Sequence, residues 1–197
     1  MIQRISRLLS VFTAKSLSFQ EKDEQIMQYC LEQILSKLLF SFFILLFGIL
    51  THRFVISVLY LTSFALLRTF GGGAHAKSRL HCAIFSYGIS FSVIFFIPYL
   101  CTVTPECFFS IAYSISIIYS IFKAPVDTKN KRIAGKNREQ MRLKFLLSSL
   151  LLTVSYRLFC LLEFIPAYGI LSICAMIFCV SLIIGEFQNK KEQKNDI

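Results

Sequence analysis

Six apolar stretches, each close to the length of a membrane-crossing helix, leave few folds open to this chain. They run at about 34–50, 54–70, 82–101, 107–123, 145–162 and 164–185. A hydrocarbon core of about 30 Å takes roughly 20 residues at about 1.5 Å rise each, so several stretches need their flanks to complete a crossing. Lys37 can reach back to the interface along its aliphatic stem. Hydrophobic residues make up 55% of the 197, and mean hydropathy is +0.64. A soluble domain of this length does not spread so much Phe, Leu and Ile over most of its sequence. The pattern predicts an all-α polytopic membrane protein with about six transmembrane helices.

Against that apolar background the formal net charge is +10. The basic residues gather in the N-terminal segment, at 68–82, at 123–144 and in the tail, whereas the loops at 51–53, 102–106 and 162–165 hold one arginine between them. Basic and non-basic connections alternate. The positive-inside rule then places both termini and both long loops in the cytoplasm of a multi-pass cell-membrane protein. Every basic block abuts a membrane boundary, which argues against a nucleic-acid partner and for anionic lipid or an acidic peptide.

Three parts follow. Residues 1–33 are amphipathic, with Ile2, Ile5, Leu8, Leu9 and Phe12 at helical spacing opposite Arg4 and Arg7. They predict an interfacial or cytoplasmic helical segment. Its short apolar patch, broken by Arg4, Arg7 and Lys15, does not read as a cleavable signal peptide. Residues 34–185 form the six-helix transmembrane domain, and 186–197 a polar cytoplasmic tail.

The chemistry concentrates in the island from Arg68 to Cys82. It holds the run Gly71-Gly72-Gly73 and two of the three histidines, His75 and His81. Consecutive glycines permit positive φ and close backbone approach, at an entropic cost that a plain turn would avoid. A cysteine beside a histidine is a common way to make a thiolate nucleophile with a proton carrier at hand. On one continuous helix His75 and Cys82 would stand about 10 Å apart, too far for the roughly 3 Å of a direct proton transfer. The glycines allow the loop to fold back. Cys82 would then stand near the start of the third membrane helix, where unpaired N–H groups, Lys77 and Arg79 favour a thiolate. The same N–H groups can steady an oxyanion. The competing interpretation is a packing cysteine and an interfacial histidine. His81 is the second candidate base, but as the neighbour of Cys82 on a helix it points about 100° away. A zinc site from His75, His81 and Cys82 lacks a fourth ligand at familiar spacing, so no metal or cofactor is expected. Of the seven cysteines, Cys101 and Cys107 flank a short outer loop, where a disulfide is an option beside two ordinary membrane-edge thiols.

Arg68, then Gly72-Gly73-Ala74-His75-Ala76, then Cys82 seven residues after the histidine, resembles the accessory gene regulator B (AgrB-like) family of membrane cysteine endopeptidases. The stretch from Ala124 to Lys131, with Pro125 and two lysines, looks like that family's lysine-rich cytoplasmic segment. The resemblance implies His75 as catalytic histidine, Cys82 as nucleophile, and Arg68 and Gly73 as positions needed for activity. It further implies cleavage of a small quorum-sensing propeptide and closure of a thiolactone or lactone, with dimerisation as a family-level expectation. Ala74 stands where many members carry an aromatic residue, which bears on substrate preference.

Lys129, Lys131, Arg132 and Lys136 are candidate contacts for the acidic C-terminal part of such a propeptide, or topology charges only. Asp127 is a weaker candidate for a third catalytic group. The rival class is a non-enzymatic small-peptide transporter or membrane sensor. Such proteins more often carry ionisable groups within their spans, and here the spans are nearly free of charge.

Overall fold

A computed structural model of the protein describes residues 21–74, 79–126 and 135–195. Among them six helices follow one another: α1 Glu21–Leu50, α2 Phe54–Gly71, α3 Arg79–Val103, α4 Glu106–Lys123, α5 Gly135–Leu161 and α6 Ile165–Asn195. Their punctuation is local. Gly72, at φ 75°, follows the last turn of α2 in a conformation that suits glycine. Pro105 precedes α4, and Pro166 occupies the first turn of α6, where its missing N–H costs no helical bond.

All six helices contain a segment long and apolar enough to cross a membrane: Ile26–Leu50, Phe54–Gly71, His81–Val103, Glu106–Lys123, Asn137–Leu161 and Ile165–Lys190. Large apolar side chains such as Phe42, Phe85, Phe96, Leu150 and Leu161 lie exposed along them, as expected where lipid is the solvent. The protein is a multi-pass α-helical membrane protein. The first and fifth spans begin eight residues earlier than their apolar runs, because a helix carries on through mixed polar flanks.

The chain divides into two compact units, Met1–Leu46 and Phe47–Ile197. In the first, residues 21–46 belong to one unbroken helix; residues 1–20 of the expected amphipathic segment lie outside the described residues.

The second unit is built around α6, against which α2, α3, α4 and α5 all pack. Its buried face carries Ala167, Ile170, Leu171, Cys174, Ala175, Phe178 and Leu182. Lipid tails are as apolar as leucine, so association rests on close packing and interhelical hydrogen bonds, and small residues on α6 let its neighbours approach. Ser172 Oγ donates to the Phe109 carbonyl at 2.9 Å. Ser90 Oγ donates to Tyr60 Oη at 2.9 Å, tying α3 to α2. Between α4 and α5, Tyr113 and Tyr156 stack with ring centres 4.1 Å apart. The Tyr113 hydroxyl pairs with Thr153 and that of Tyr156 with Ser110, each at 3.1 Å.

Pro98 interrupts α3 and leaves the Ile94 carbonyl without its helical donor. Arg53, in the turn before α2, supplies one. Its Nη1 reaches the Ile94 carbonyl at 2.9 Å and also donates to that of Phe95, while the guanidinium lies 5.5 Å from the Phe95 ring centre. The turns at 51–53, 104–105 and 162–164 lie at one end of the bundle, and the glycine segment lies at the other.

Candidate active site

Arg68 stands in the last turn of α2, where helix carbonyls lack partners and a cation is favoured. From Gly71, the last residue of the helix, the chain runs on as a strap to Ala74 rather than turning out at once. Three attachments hold the strap. The Gly72 N–H returns to the Arg68 carbonyl at 3.3 Å, closing the helix. The Gly71 carbonyl accepts from the Val126 N–H at 3.1 Å, and Gly72 and Val126 form an isolated parallel β-bridge. The Ala74 N–H donates to the Ser181 carbonyl of α6 at 2.9 Å.

The Arg68 side chain folds back over the strap that follows it. Nη1 donates to the Gly72 carbonyl at 3.2 Å and to Ser181 Oγ, and Nη2 donates to the Ala74 carbonyl. These oxygens are neutral, so the guanidinium acts as a strut for backbone more than as half of an ion pair. Glycine is demanded twice over. A Cβ on Gly72, at φ 75°, would stand 2.5 Å from the Val126 carbonyl oxygen. A Cβ on Gly73, at φ 110°, would stand 2.6 Å from Arg68 Nη1 and 2.7 Å from Ser181 Oγ. Gly185 gives room from the other side: a Cβ there would lie 2.9 Å from the Ala74 nitrogen. Beneath the strap, Phe145 and Phe178 are fully buried with ring centres 5.7 Å apart, filling the space that Gly71 leaves.

Cys82 is the fourth residue of α3, a free and half-buried thiol. It lies within electrostatic range of the Arg68 guanidinium. Cys82 stands three residues after Arg79, the first described residue of α3. His81, on the same turn, is exposed. His75 directly follows the strap in sequence and lies outside the described residues, as do Asp127, Lys129, Lys131 and Arg132. Lys136 sits in the first turn of α5, its side chain likewise outside them. Nearby, Lys123 and Glu186 form an ion pair at 3.0 Å between α4 and α6. Cys101 and Cys107 are both free thiols.

The structure therefore brings Arg68, Gly73 and Cys82 to one end of the bundle. It adds three residues that sequence reasoning did not single out: Val126, Ser181 and Gly185. The small pair at 181 and 185, one helical turn apart, is the signal that was available, since such pairs mark close approach in membrane helices.

An all-helical membrane bundle with a backbone strap laced at one end, and a thiol at the head of the next helix, defines the class. The sequence profile of the accessory gene regulator B family matches residues 5–187, and the chain belongs to that family. An AgrB-like protein of Clostridium perfringens (strain SM101 / Type A) is 26% identical over 147 residues, covering 71% of this chain and 68% of the relative. AgrB-like protein 2 of Clostridium perfringens (strain 13 / Type A) matches to the same extent, 26% over 147 residues. No solved structure matches.

Proposed function

We propose that this chain is a membrane cysteine endopeptidase that cleaves a small quorum-sensing propeptide and closes the retained fragment into a thiolactone or lactone. The observation that carries the reading is Cys82 in the first turns of α3, within electrostatic range of Arg68, whose side chain braces the strap leading into His75. Family membership supports the same class of activity.

In this mechanism His75 takes the proton of Cys82, and the thiolate attacks the scissile carbonyl. Backbone N–H groups beside Cys82 would oppose the charge on the tetrahedral oxygen. His75 returns the proton to the departing amine, the C–N bond breaks, and a thioester joins the substrate acyl group to Cys82. An internal cysteine thiol of the substrate then attacks that thioester. A new thioester closes the ring, and the Cys82 sulfur leaves with a proton. A serine hydroxyl would close a lactone by the same exchange. Water in place of the internal nucleophile gives the linear acid, so shielding at the membrane boundary favours the ring.

The orientation follows the charge asymmetry, with the strap, Cys82 and both termini cytoplasmic. Lys129, Lys131, Arg132 and Lys136 then offer positive charge to an acidic C-terminal part of the substrate.

The test is co-expression with the peptide of a short neighbouring reading frame, tagged at both ends, in wild type, Cys82→Ser and His75→Ala. Fragments are read by mass spectrometry. Cleavage by wild type alone, with a product one water lighter than the linear acid, is the expected result. A linear acid alone would remove the cyclisation step. Equal cleavage by Cys82→Ser would remove the peptidase and favour a peptide transporter or sensor.

A further inference from the structure

We infer that Ser181, on the last helix, is a positioning residue of this site, acting through Arg68 and the glycine strap to set the direction in which the chain enters His75. The inference rests on the peptidase reading and names a residue that it did not contain.

Ser181 holds the strap with its carbonyl oxygen and Arg68 with its hydroxyl. Its carbonyl accepts from the Ala74 N–H at 2.9 Å. Its Oγ accepts from Arg68 Nη1, and Arg68 Nη2 donates to the carbonyl of the same Ala74. Both polar groups of the residue next to His75 are therefore fixed, one directly by Ser181 and one through the guanidinium that Ser181 holds. The two peptide groups that flank the Ala74 α-carbon are each held by a hydrogen bond, one from α6 directly and one through Arg68, so the chain leaves Ala74 in a direction set by α6. The packing agrees with the hydrogen bonds. Gly73 brings its α-carbon against Ser181 Oγ, where a Cβ would stand at 2.7 Å, and Gly185 leaves the opening through which Ala74 reaches the helix.

The role of half-buried Ser181 differs from that of the buried serines. Ser148 and Ser149 donate to carbonyls of their own helix, and Ser172 donates across to Phe109. Those bonds join helices or decorate them. Ser181 joins a helix to the one irregular segment that carries the candidate chemistry. Precise reaction geometry is sensitive to displacements of about 1 Å, so a loosened strap lowers turnover without weakening substrate binding.

The experiment uses the full chain in lipid nanodiscs, with two readouts. The first is the kcat and KM of cleavage of the co-expressed propeptide. The second, independent of any substrate, is the pH–rate profile of Cys82 alkylation by iodoacetamide, followed on the Cys82 peptide by mass spectrometry. Ser181→Ala is expected to lower kcat at least fivefold with KM unchanged, and to move the alkylation profile toward that of His75→Ala. In an Arg68→Ala background it is expected to add nothing, because the two side chains act in one chain of contacts. Gly185→Ala, which crowds the Ala74 nitrogen, is expected to reproduce the phenotype, whereas Ser172→Ala leaves both readouts at wild-type values. Wild-type kinetics and alkylation in Ser181→Ala, or effects of Ser181→Ala and Arg68→Ala that simply multiply, would overturn the inference while leaving the peptidase in place. If wild type cleaves nothing, yet Ser181→Ala and Arg68→Ala shift Cys82 alkylation as His75→Ala does, the positioning role stands and the peptidase reading falls.

Discussion

Gly73 meets the Arg68 guanidinium so closely that a single added carbon would stand 2.6 Å from Nη1. The backbone at Gly73 has a φ of 110°, which L side chains rarely adopt. Arg68 and Gly73 are thus two halves of one contact, five residues apart, and the strap keeps its shape only if the second has no side chain.

Gly73→Ala is accordingly expected to insert and express as wild type while losing at least tenfold in propeptide cleavage. Unfavourable backbone and steric contact together cost about 1–3 kcal/mol, localised in the strap. Because the buried side chains between the helices are unchanged, the unfolding temperature in detergent should fall by no more than that local cost implies. Membrane-fraction immunoblots and cleavage assays on the same samples separate the two effects, and wild-type cleavage would show that the strap yields without consequence.

Arg53 provides the counterpart at the far end of the bundle. Arg53→Ala exposes the Ile94 carbonyl that Pro98 has already deprived of a helical donor, at a cost of about 1–3 kcal/mol. The unfolding temperature should fall by several degrees, with cleavage per folded molecule unchanged. Pro98→Ala restores an N–H for Ile94, so the loss from Arg53→Ala should shrink in that background. Thermal melts of the four proteins test the coupling; independent, additive shifts would rule it out.

The hydroxyl pair of Tyr113 and Thr153 should contribute less. Interhelical hydrogen bonds in membrane proteins average about 0.6 kcal/mol, with about 1.7 as the upper end. Tyr113→Phe keeps the stack on Tyr156 and removes only the 3.1 Å bond, so its unfolding temperature should lie closer to wild type than that of Arg53→Ala. A larger loss than that of Arg53→Ala would mean that the pair stabilises the α4–α5 contact by more than a hydrogen bond.

Why some of this was legible in sequence and some was not follows from distance along the chain. Span-length apolar runs and glycine punctuation are local signals, and the six helices appear where the hydropathy puts them, with ends moved outward where polar residues continue a turn. The strap was legible as an oddity, three glycines where a turn needs fewer. Its purpose was not, because Ser181 stands 113 residues from Arg68. Val126 is similarly remote: no local pattern announces that one residue beyond Pro125 will pair with Gly72. Arg68 and Gly73 were marked by resemblance, and their physical reason, a guanidinium bracing backbone that admits no Cβ, needed coordinates.

Orientation can be tested with the protein's own cysteines. Cys107 is a free, exposed thiol in the first turn of α4, and Cys82 is a free thiol at the opposite end of the bundle. The charge asymmetry puts the first outside and the second inside. A membrane-impermeant maleimide applied to intact cells should modify Cys107 and spare Cys82, and both should react once the membrane is opened. Single-cysteine variants retaining only one of the two make the readout unambiguous by mass shift. Labelling of Cys82 in intact cells would invert the topology. The cytosolic thiolate chemistry would then lose its compartment, since a thiol on the outer face meets oxidising conditions and no freshly made propeptide.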